Sequence, residues 1–277
     1  MAKGIGLIGN FKGKVGNMVG YKLSDSNTGN SQGIRVYQPI VRNPKTSAQA
    51  EQRAKLAPIN ATYRALKMVI DRGNEGLPYG NKSRLAWLKQ AFKAKHMPWF
   101  VKGASVNYPV VCQLTKGSLS QLPYRVLEDE LDIDCPSLKA DATVNTVGGV
   151  STALMADHSF LKAGDQITVV LVSNNGATLY PTIFSFVLDT KSAEAISGFK
   201  AAEGMLRIAD TITFYAAAII ISREGANGEH LRSTTSLDID SSYLSEIPYN
   251  ADSKTAAIAS YQTSASTNAD WAEESIQ

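Results

Sequence analysis

The sequence predicts an α+β protein: a glycine-rich N-terminal β-hairpin arm and helices, followed by an antiparallel β-sandwich of immunoglobulin-like or jelly-roll type. Two observations lead to this fold class. The apolar period of the 277-residue chain changes from helical to alternating near Tyr108, and the charge changes sign at the same place. Residues 1–107 contain 18 Lys and Arg against 4 Asp and Glu, whereas residues 108–277 contain 10 against 21. The formal net charge of +3 therefore conceals a basic half of +14 and an acidic half of −11.

The N-terminal segment is rich in glycine, which supplies eight of the first 33 residues. On either side of the polar stretch 24–32, residues 15–23 and 33–41 alternate between apolar and polar side chains, a pattern that predicts a loose β-hairpin. Glycine gives a strand no side chain to pack. Residues 1–45 are therefore predicted to form an extended arm that leans on a larger body, such as a neighbouring subunit.

A basic helical segment is predicted for residues 46–107. Thr46 is expected to cap the first helix, with Gln49 completing a capping box. Pro58 is expected to kink or divide that helix, because proline lacks a backbone N–H and clashes with the preceding turn. The residues beyond the proline that recur at helical spacing, and are therefore expected to face the core, are Ile59, Tyr63, Leu66 and Ile70.

A second helix is predicted from about Lys82 to His96, after a glycine-containing break at residues 73–80. Its expected apolar side is formed by Leu85, Leu88 and Phe92. Beside that apolar side runs a basic stripe, because 100° per residue places four side chains close together. These are Lys82, Lys89, Lys93 and His96.

From Tyr108 onward the chain is predicted to form a β-sandwich domain, residues 108–240, followed by a polar acidic tail, residues 241–277. The predicted strands are rich in Val, Ile, Thr and Phe and are separated by turn-forming residues. They are residues 108–114, 144–155, 166–172, 180–188, 205–208, 212–221 and 229–239. Within the tail, a short helix is predicted at residues 251–261.

No catalytic or metal-binding pattern is found in the sequence, so we expect no enzyme, no cofactor and no metal. Residues 4–9 match G-x-G-x-x-G, but only three residues precede them and no helical pattern follows, whereas a dinucleotide site needs a strand before the glycines and a helix after them. Cys112 and Cys135 stand alone and are expected to be buried thiols. The longest apolar run, residues 214–221, is far shorter than the about 20 residues that span a bilayer, and no secretory signal is expected.

The basic half is interleaved with aromatic residues, a composition that suits sequence-independent contact with nucleic acid. The alternative is a set of solvated helix faces, some of them paired with the acidic half of the same or a neighbouring subunit. The acidic run 128–134 is expected to be a solvated linker or strand edge, with docking against a basic neighbour or metal binding as alternatives. The candidate nucleic-acid-binding residues are Lys12, Lys14, Lys22, Arg35, Arg42, Lys45, Arg53, Arg64, Lys82, Arg84, Lys89 and Lys93.

Two N-terminal stretches carry a resemblance to a known family. Residues 13–22, beginning Gly13-Lys14-Val15-Gly16, and residues 43–55, beginning Asn43-Pro44-Lys45-Thr46, resemble a family of uncharacterised proteins from Bacteroidetes and their phages and mobile elements. Residues 230–237 resemble that family's closing strand, and the similarity spans roughly residues 3–240. The resemblance implies a glycine-rich hairpin, helices and a β-sandwich, and it implies no catalytic residues.

These features predict a non-enzymatic structural protein: a phage virion or capsid component that assembles into a symmetric shell and contacts packaged nucleic acid through its basic N-terminal half. The alternative is a bacterial nucleic-acid-associated or scaffolding protein outside any virion. The expected partners are further copies of the chain, as a homo-oligomer, and single-stranded or double-stranded nucleic acid bound without sequence specificity. No membrane partner is expected, and the expected location is the virion or otherwise the cytoplasm.

Overall fold

The structure, a computed structural model, describes residues 13–22, 32–37, 46–127, 130–139, 146–208, 213–226, 228–239, 243–244 and 246–262. The chain divides into two compact units, Met1–Lys45 and Thr46–Gln277. Helices and sheets are mixed, and each pair of described strands is antiparallel. The predicted α+β class is therefore confirmed at this level.

The first unit contains a three-stranded antiparallel sheet. Its strands are β1 (Gly13–Val15), β2 (Met18–Lys22) and β3 (Gln32–Val36), in the order β1-β2-β3. The predicted pairing across residues 24–32 is present, and it runs from Met18 opposite Val36 to Lys22 opposite Gln32. The turn before β2 contains Gly16 at a φ of +56°, a conformation that L residues rarely adopt.

The second unit contains five helices among its described residues. They are α1 (Ser47–Ala65), α2 (Lys67–Ile70), α3 (Asn81–Ala91), α4 (Val147–Asp157) and α5 (Ala251–Gln262). The predicted tail helix is confirmed by α5, which packs on α1 and buries Ala257. The chain around residue 251 therefore belongs to the folded body.

The same unit contains eleven described strands. These are β4 (Gln113–Thr115), β5 (Tyr124–Leu127), β6 (Glu130–Asp134), β7 (Gln166–Asn174), β8 (Leu179–Val187), β9 (Phe199–Ala202), β10 (Met205–Ile208), β11 (Ala216–Glu224), β12 (His230–Arg232), β13 (Thr235–Ser236) and β14 (Asp238–Ile239). A five-stranded sheet has the order β12-β11-β7-β8, with β14 also paired to β11, and a four-stranded sheet has the order β5-β6-β10-β9. The short strands β13 and β4 pair separately.

The central strands β7 and β11 of the five-stranded sheet are buried on both faces, and their side chains alternate between the two faces. On β7, Val170 and Val172 pack with α1, α2, α3 and α5, whereas Val169 and Leu171 pack with α4 and the four-stranded sheet. On β11, alternate residues divide between the same two cores. The five-stranded sheet thus lies between two layers. One layer contains α1, α2, α3 and α5, and the other contains α4 and the four-stranded sheet.

The first helix departs from its prediction at Pro58. The Thr46 hydroxyl caps α1 by accepting a hydrogen bond from the Gln49 N–H at 3.3 Å, as predicted, but the Gln49 side-chain oxygen has no partner among the described residues. Of the two effects expected of Pro58, a kink or a division of the helix, the division does not occur, because α1 runs through Pro58 as one helix. The buried Thr62 hydroxyl donates to the Pro58 carbonyl and accepts from the Val110 N–H, each at 2.9 Å. These bonds join this turn of α1 to the chain from residue 108 onward that contains β4 to β14, which we call the strand-rich segment.

The second predicted helix corresponds to α3, which ends at Ala91 and not near His96. The face that α3 packs against the core also differs from the predicted apolar side. The buried residues of α3 are Ser83, Trp87 and Ala91, spaced four apart, whereas Leu85 is 53% exposed. The predicted apolar side was therefore wrong at Leu85. The Ser83 hydroxyl donates to the Ile70 carbonyl at 2.8 Å, so a polar residue fixes this face against α2.

The strand predicted at residues 144–155 is wrong over its described part, because residues 147–155 lie in helix α4. The Thr146 hydroxyl accepts a hydrogen bond from the Gly149 N–H at 3.1 Å and caps the helix. Val150, Ser151 and Leu154 are buried against the sheets. An apolar run of this length is ambiguous between a buried helix and a strand. Here the Thr146 cap and the tertiary contacts of the buried residues stabilise the helix.

Four of the remaining predicted strands correspond to single strands with similar bounds. Residues 166–172, 180–188, 205–208 and 212–221 overlap β7, β8, β10 and β11. Residues 229–239 contain three short strands rather than one, and the range 108–114 contributes only to β4.

Candidate nucleic-acid interface

The exposed cations of the helical layer form the candidate site. The helices α1, α2 and α3 bury Ile59, Leu66, Ile70 and Trp87 against the sheet, while basic residues on these helices and in the turns that follow α2 and α3 are exposed. We call this set the basic helical face. It consists of Arg64, Lys67, Arg72, Lys82, Lys89 and Lys93, all of them exposed.

The basic helical face lacks ion-pair partners within the described residues. The ion pairs that the structure does describe lie elsewhere: Glu51 pairs with Lys55 and Lys254, Glu130 and Asp132 pair with Arg207, and Asp165 pairs with Arg223. In the strand-rich segment, these carboxylates are therefore neutralised by arginines of the same segment. Among the described carboxylates, the expected pairing between the acidic half and the basic half of the same subunit is not seen at this face.

The acidic run 128–134 is not a solvated linker over its described part. Residues 130–134 form β6, an internal strand, and the Asp132 side chain is only 4% exposed. Arg207 lies directly across on β10, and its Nε donates to Asp132 at 2.8 Å. The basic neighbour of this run therefore comes from the same chain.

Arg84 is a predicted site residue that the structure holds by packing. Its guanidinium lies 4.5 Å from the centre of the Tyr63 ring, and its Nε is buried without a hydrogen-bond partner. The Tyr63 hydroxyl donates to Asp71 at 2.9 Å. Burial and this hydrogen bond raise the pKa of Tyr63, although Arg84 opposes the change. Arg84 thus joins α3 to α1 rather than extending the exposed face.

The other predicted site residues fall into two groups. Arg53 is half-buried on α1 and makes further contacts. In the first unit, the Lys14 Nζ lies 3.5 Å from the centre of the Tyr37 ring, a cation–π contact. Lys22 and Arg35 are in β2 and β3, but their side chains lie outside the described structure, as do Lys12, Arg42 and Lys45 entirely.

Three aromatic residues of the helical segment pack in or against the core and are not free for base stacking. Trp87 is 1% exposed in the core, and Tyr63 and Phe92 are half-buried. Tyr79 is 50% exposed, and its ring lies between the Arg72 guanidinium at 5.6 Å and the His230 ring at 5.7 Å. The helical layer is therefore equipped for contacts with charged phosphates more than for stacking of unpaired bases.

A cleft of about 560 Å³ lies beside the basic helical face, between α3 and the segment that contains β4. Lys89 and Lys116 line it, and both are exposed. Trp87 and Leu114, both buried, also line this cleft. The cleft therefore extends the cationic surface from the helices to the start of the strand-rich segment.

Glu75 is a carboxylate in this cleft that the sequence did not single out. It accepts hydrogen bonds from the Ser118 N–H at 2.8 Å, the Ser118 hydroxyl at 2.9 Å and the Arg232 N–H at 3.1 Å. Burial raises the pKa of Glu75, but these donors outweigh burial and hold it below its ordinary value. Glu75 is therefore an ionised tether between the helical and strand-rich segments.

The described residues show little of what a reactive centre needs. Burial raises the pKa values of the Cys112 and Cys135 thiols to about 12, as expected for inert buried cysteines. No group of three His, Cys, Asp or Glu within the described part of the chain is arranged to hold a metal ion. None of the helices described is both long and apolar enough to cross a membrane.

Comparisons with known proteins add no relative: no protein-family model, no curated protein and no solved structure matches this chain.

Proposed function

We propose that this protein is a non-enzymatic structural component of a phage virion or capsid and that its basic helical face contacts packaged nucleic acid without reading its sequence. The observation that carries the proposal is a set of six exposed cations on one helical layer, none of which pairs with a described carboxylate. Unpaired surface cations bind phosphates by displacing condensed counterions, which gives affinity without specificity.

Duplex nucleic acid is the preferred ligand in this proposal. Base stacking needs exposed aromatic faces, and on the helical layer only Tyr79 among the described candidates offers a half-exposed ring. Phosphate contact needs only positive charge within reach of the backbone. The surface therefore favours a double-stranded backbone over single-stranded bases.

The shell-forming role rests on the architecture. Two antiparallel sheets that share a core support the β-sandwich interpretation, with its immunoglobulin-like or jelly-roll topology as part of the proposal. The glycine-rich first unit serves as an arm that contacts a neighbouring copy.

The test of nucleic-acid contact is a triple charge reversal. Lys82→Glu and Lys89→Glu on α3, together with Lys93→Glu in the turn that follows it, are expected to weaken binding to a labelled DNA duplex at least tenfold at low salt. The matched control reverses three exposed lysines of the strand-rich segment, Lys139, Lys191 and Lys200. Fluorescence anisotropy of the labelled duplex measures the binding of both variants. Equal weakening in the control would mean that net charge, and not this face, determines binding.

The virion role has a separate test in electron microscopy of the concentrated protein. Symmetric particles, with or without added duplex, are the expected result. A persistent small species that binds duplex would contradict the virion role and favour the alternative, a nucleic-acid-associated protein outside any particle.

A further inference from the structure

Strand β8 lies at one edge of the five-stranded sheet, with β7 on its inner side. The edge is nine residues long, and Tyr180, Ile183 and Val187 are among the exposed large apolar side chains. An exposed edge of this length is a template for pairing with another strand.

The register fixes which backbone groups point outward. Leu188 N–H donates to the Asp165 carbonyl at 2.8 Å, and at the hairpin end Asn175 N–H donates to the Thr178 carbonyl at 3.3 Å. In an antiparallel ladder, hydrogen-bonded and non-hydrogen-bonded pairs alternate. The odd-numbered residues of β8 therefore point their backbone groups away from β7. Ile183, Ser185 and Val187 thus present donors and acceptors at the outer edge, whereas Pro181 has no N–H to offer.

This edge also differs from the others in its charge. The outer strands β5, β9 and β12 carry Arg125, Lys200 and Arg232, and such side chains discourage pairing at an edge. Residues 179–187 contain no Lys, Arg, His, Asp or Glu. Pairing of β8 with a copy of itself therefore brings no like charges together.

We propose that β8 pairs antiparallel with β8 of a second copy, about a two-fold axis at Ser185, so that two five-stranded sheets become continuous. In this register, Ile183 lies opposite the second copy's Val187 and Ser185 lies opposite its own equivalent. Each of the three outward-facing pairs exchanges two backbone hydrogen bonds. Pro181 falls opposite residue 189, beyond the paired stretch, so its missing N–H costs nothing.

A second copy of the chain is favoured over a different protein as the partner of β8, because the residues of β8 are complementary to themselves in the antiparallel register. The two apolar pairs, Ile183 with Val187 and its symmetric equivalent, lie on one face, and Phe184 lies opposite Phe186 on the other. An isologous contact of this kind closes as a dimer and leaves the rest of the surface free. The interface supplies a contact for the assembly proposed above, but it does not depend on nucleic-acid binding.

The test places like charges opposite each other in the proposed register. Ile183→Lys with Val187→Lys puts lysine against lysine twice, at side chains already 39% and 48% exposed. The control, Ala177→Lys with Tyr180→Lys, adds the same charge to exposed positions of the same hairpin outside the paired stretch. Light scattering over a concentration series is expected to give the wild type and the control at least twice the 29.8 kDa monomer mass. The first variant is expected to lose this self-association. A monomeric wild type, or equal masses for the two variants, would overturn the proposal.

A cross-link tests the register itself. In a hydrogen-bonded antiparallel pair the two Ser185 Cα atoms are about 5.5 Å apart, within the range that a disulfide spans. Ser185→Cys is expected to form a covalent dimer with oxidised glutathione, while Ala177→Cys is not, and the native thiols are buried. Equal cross-linking of the two would contradict the register. The Lys82/Lys89/Lys93 reversal is expected to leave the dimer intact, so failure of this interface is distinguishable from failure of nucleic-acid binding.

Discussion

Asp165 shows how a single carboxylate is satisfied inside the strand-rich segment. Its side chain is 1% exposed, and Arg223 donates to its two oxygens at 2.6 and 2.7 Å. The Lys162 N–H donates to the same carboxylate at 2.9 Å. A buried carboxylate of this kind is tolerated because an arginine matches its charge and both of its oxygens accept hydrogen bonds.

Replacing Asp165 by Asn is therefore expected to lower the free energy of unfolding by about 3 kcal/mol, because it leaves the partly buried Arg223 without a counter-charge. Glu51→Gln serves as the comparison, since its pairs with Lys55 and Lys254 are partly solvated. That change is expected to cost less than about 1 kcal/mol. Urea unfolding of both variants makes the measurement, and similar losses would contradict this account of Asp165.

Glu75 provides a pH-dependent prediction. Its pKa in the folded protein lies below the ordinary value of 4.5 because the Ser118 and Arg232 donors favour the charged form. The folded state therefore gains stability from Glu75 above that ordinary value, and the gain is lost as the pH falls through the lower folded pKa.

Glu75→Gln is accordingly expected to be less stable than the wild type near neutral pH, with the difference shrinking under acid conditions. Thermal unfolding across a pH series measures this convergence, with Ser120→Ala, an exposed neighbour, as the control. A difference that stays constant with pH would show that the Glu75 charge is not responsible.

At the scale of elements, the sequence located α1, α3, α5 and the central strands, but it missed β5 and β9 and the inward face of α3. The cap at Thr46 and the central strands β7 and β11 follow from local patterns, and all of them are present. The α3 face could not be predicted by counting apolar residues. Ser83 is buried because it bonds to Ile70, while Leu85 is left in solvent.

The α3 face is tested by a pair of alanine substitutions. Trp87→Ala is expected to cost about 3 to 5 kcal/mol of unfolding free energy, because the indole is fully buried. Leu85→Ala, on the face that apolar spacing would place in the core, is expected to change stability by less than about 0.5 kcal/mol. A larger loss of stability for Leu85→Ala than for Trp87→Ala would contradict the observed α3 face and favour the face predicted from the sequence.

The element that the sequence misassigned outright is α4. Residues 147–157 are mostly small or apolar, so their hydrophobic period distinguishes helix from strand poorly. What decides is the Thr146 cap together with the close approach of the chain at Gly148, where an added Cβ would lie 2.5 Å from the Ser192 carbonyl oxygen. Such a contact between distant residues leaves no signature in the local sequence.

At the scale of the whole molecule, the division of charge corresponds partly to a division of surfaces. The sequence identified Arg64, Lys82, Lys89 and Lys93 as candidate contacts, and the structure exposes all four on the helical layer. It did not identify Arg84 as a packed residue or Trp87 as core, because tertiary burial is not visible in a list of basic and aromatic residues.

The acidic half also has a different role from the one its net charge suggested. Asp132 and Asp165 pair with arginines of the same half, and Glu75, an acidic residue of the basic half, accepts hydrogen bonds from backbone N–H groups. These carboxylates stabilise the fold and leave the cations of the helices unmatched. The unmatched charge on the basic helical face is the feature on which the proposed nucleic-acid contact depends.

The most direct test of that contact is the salt dependence of duplex DNA binding by the full chain. Six phosphate contacts predict that the logarithm of the association constant falls with the logarithm of salt concentration with a slope of about −5. The Lys82/Lys89/Lys93 reversal is expected to reduce that slope by about half, while the Lys139/Lys191/Lys200 reversal leaves it unchanged. Absence of duplex binding at low salt, or a slope unaffected by the first reversal, would contradict the account.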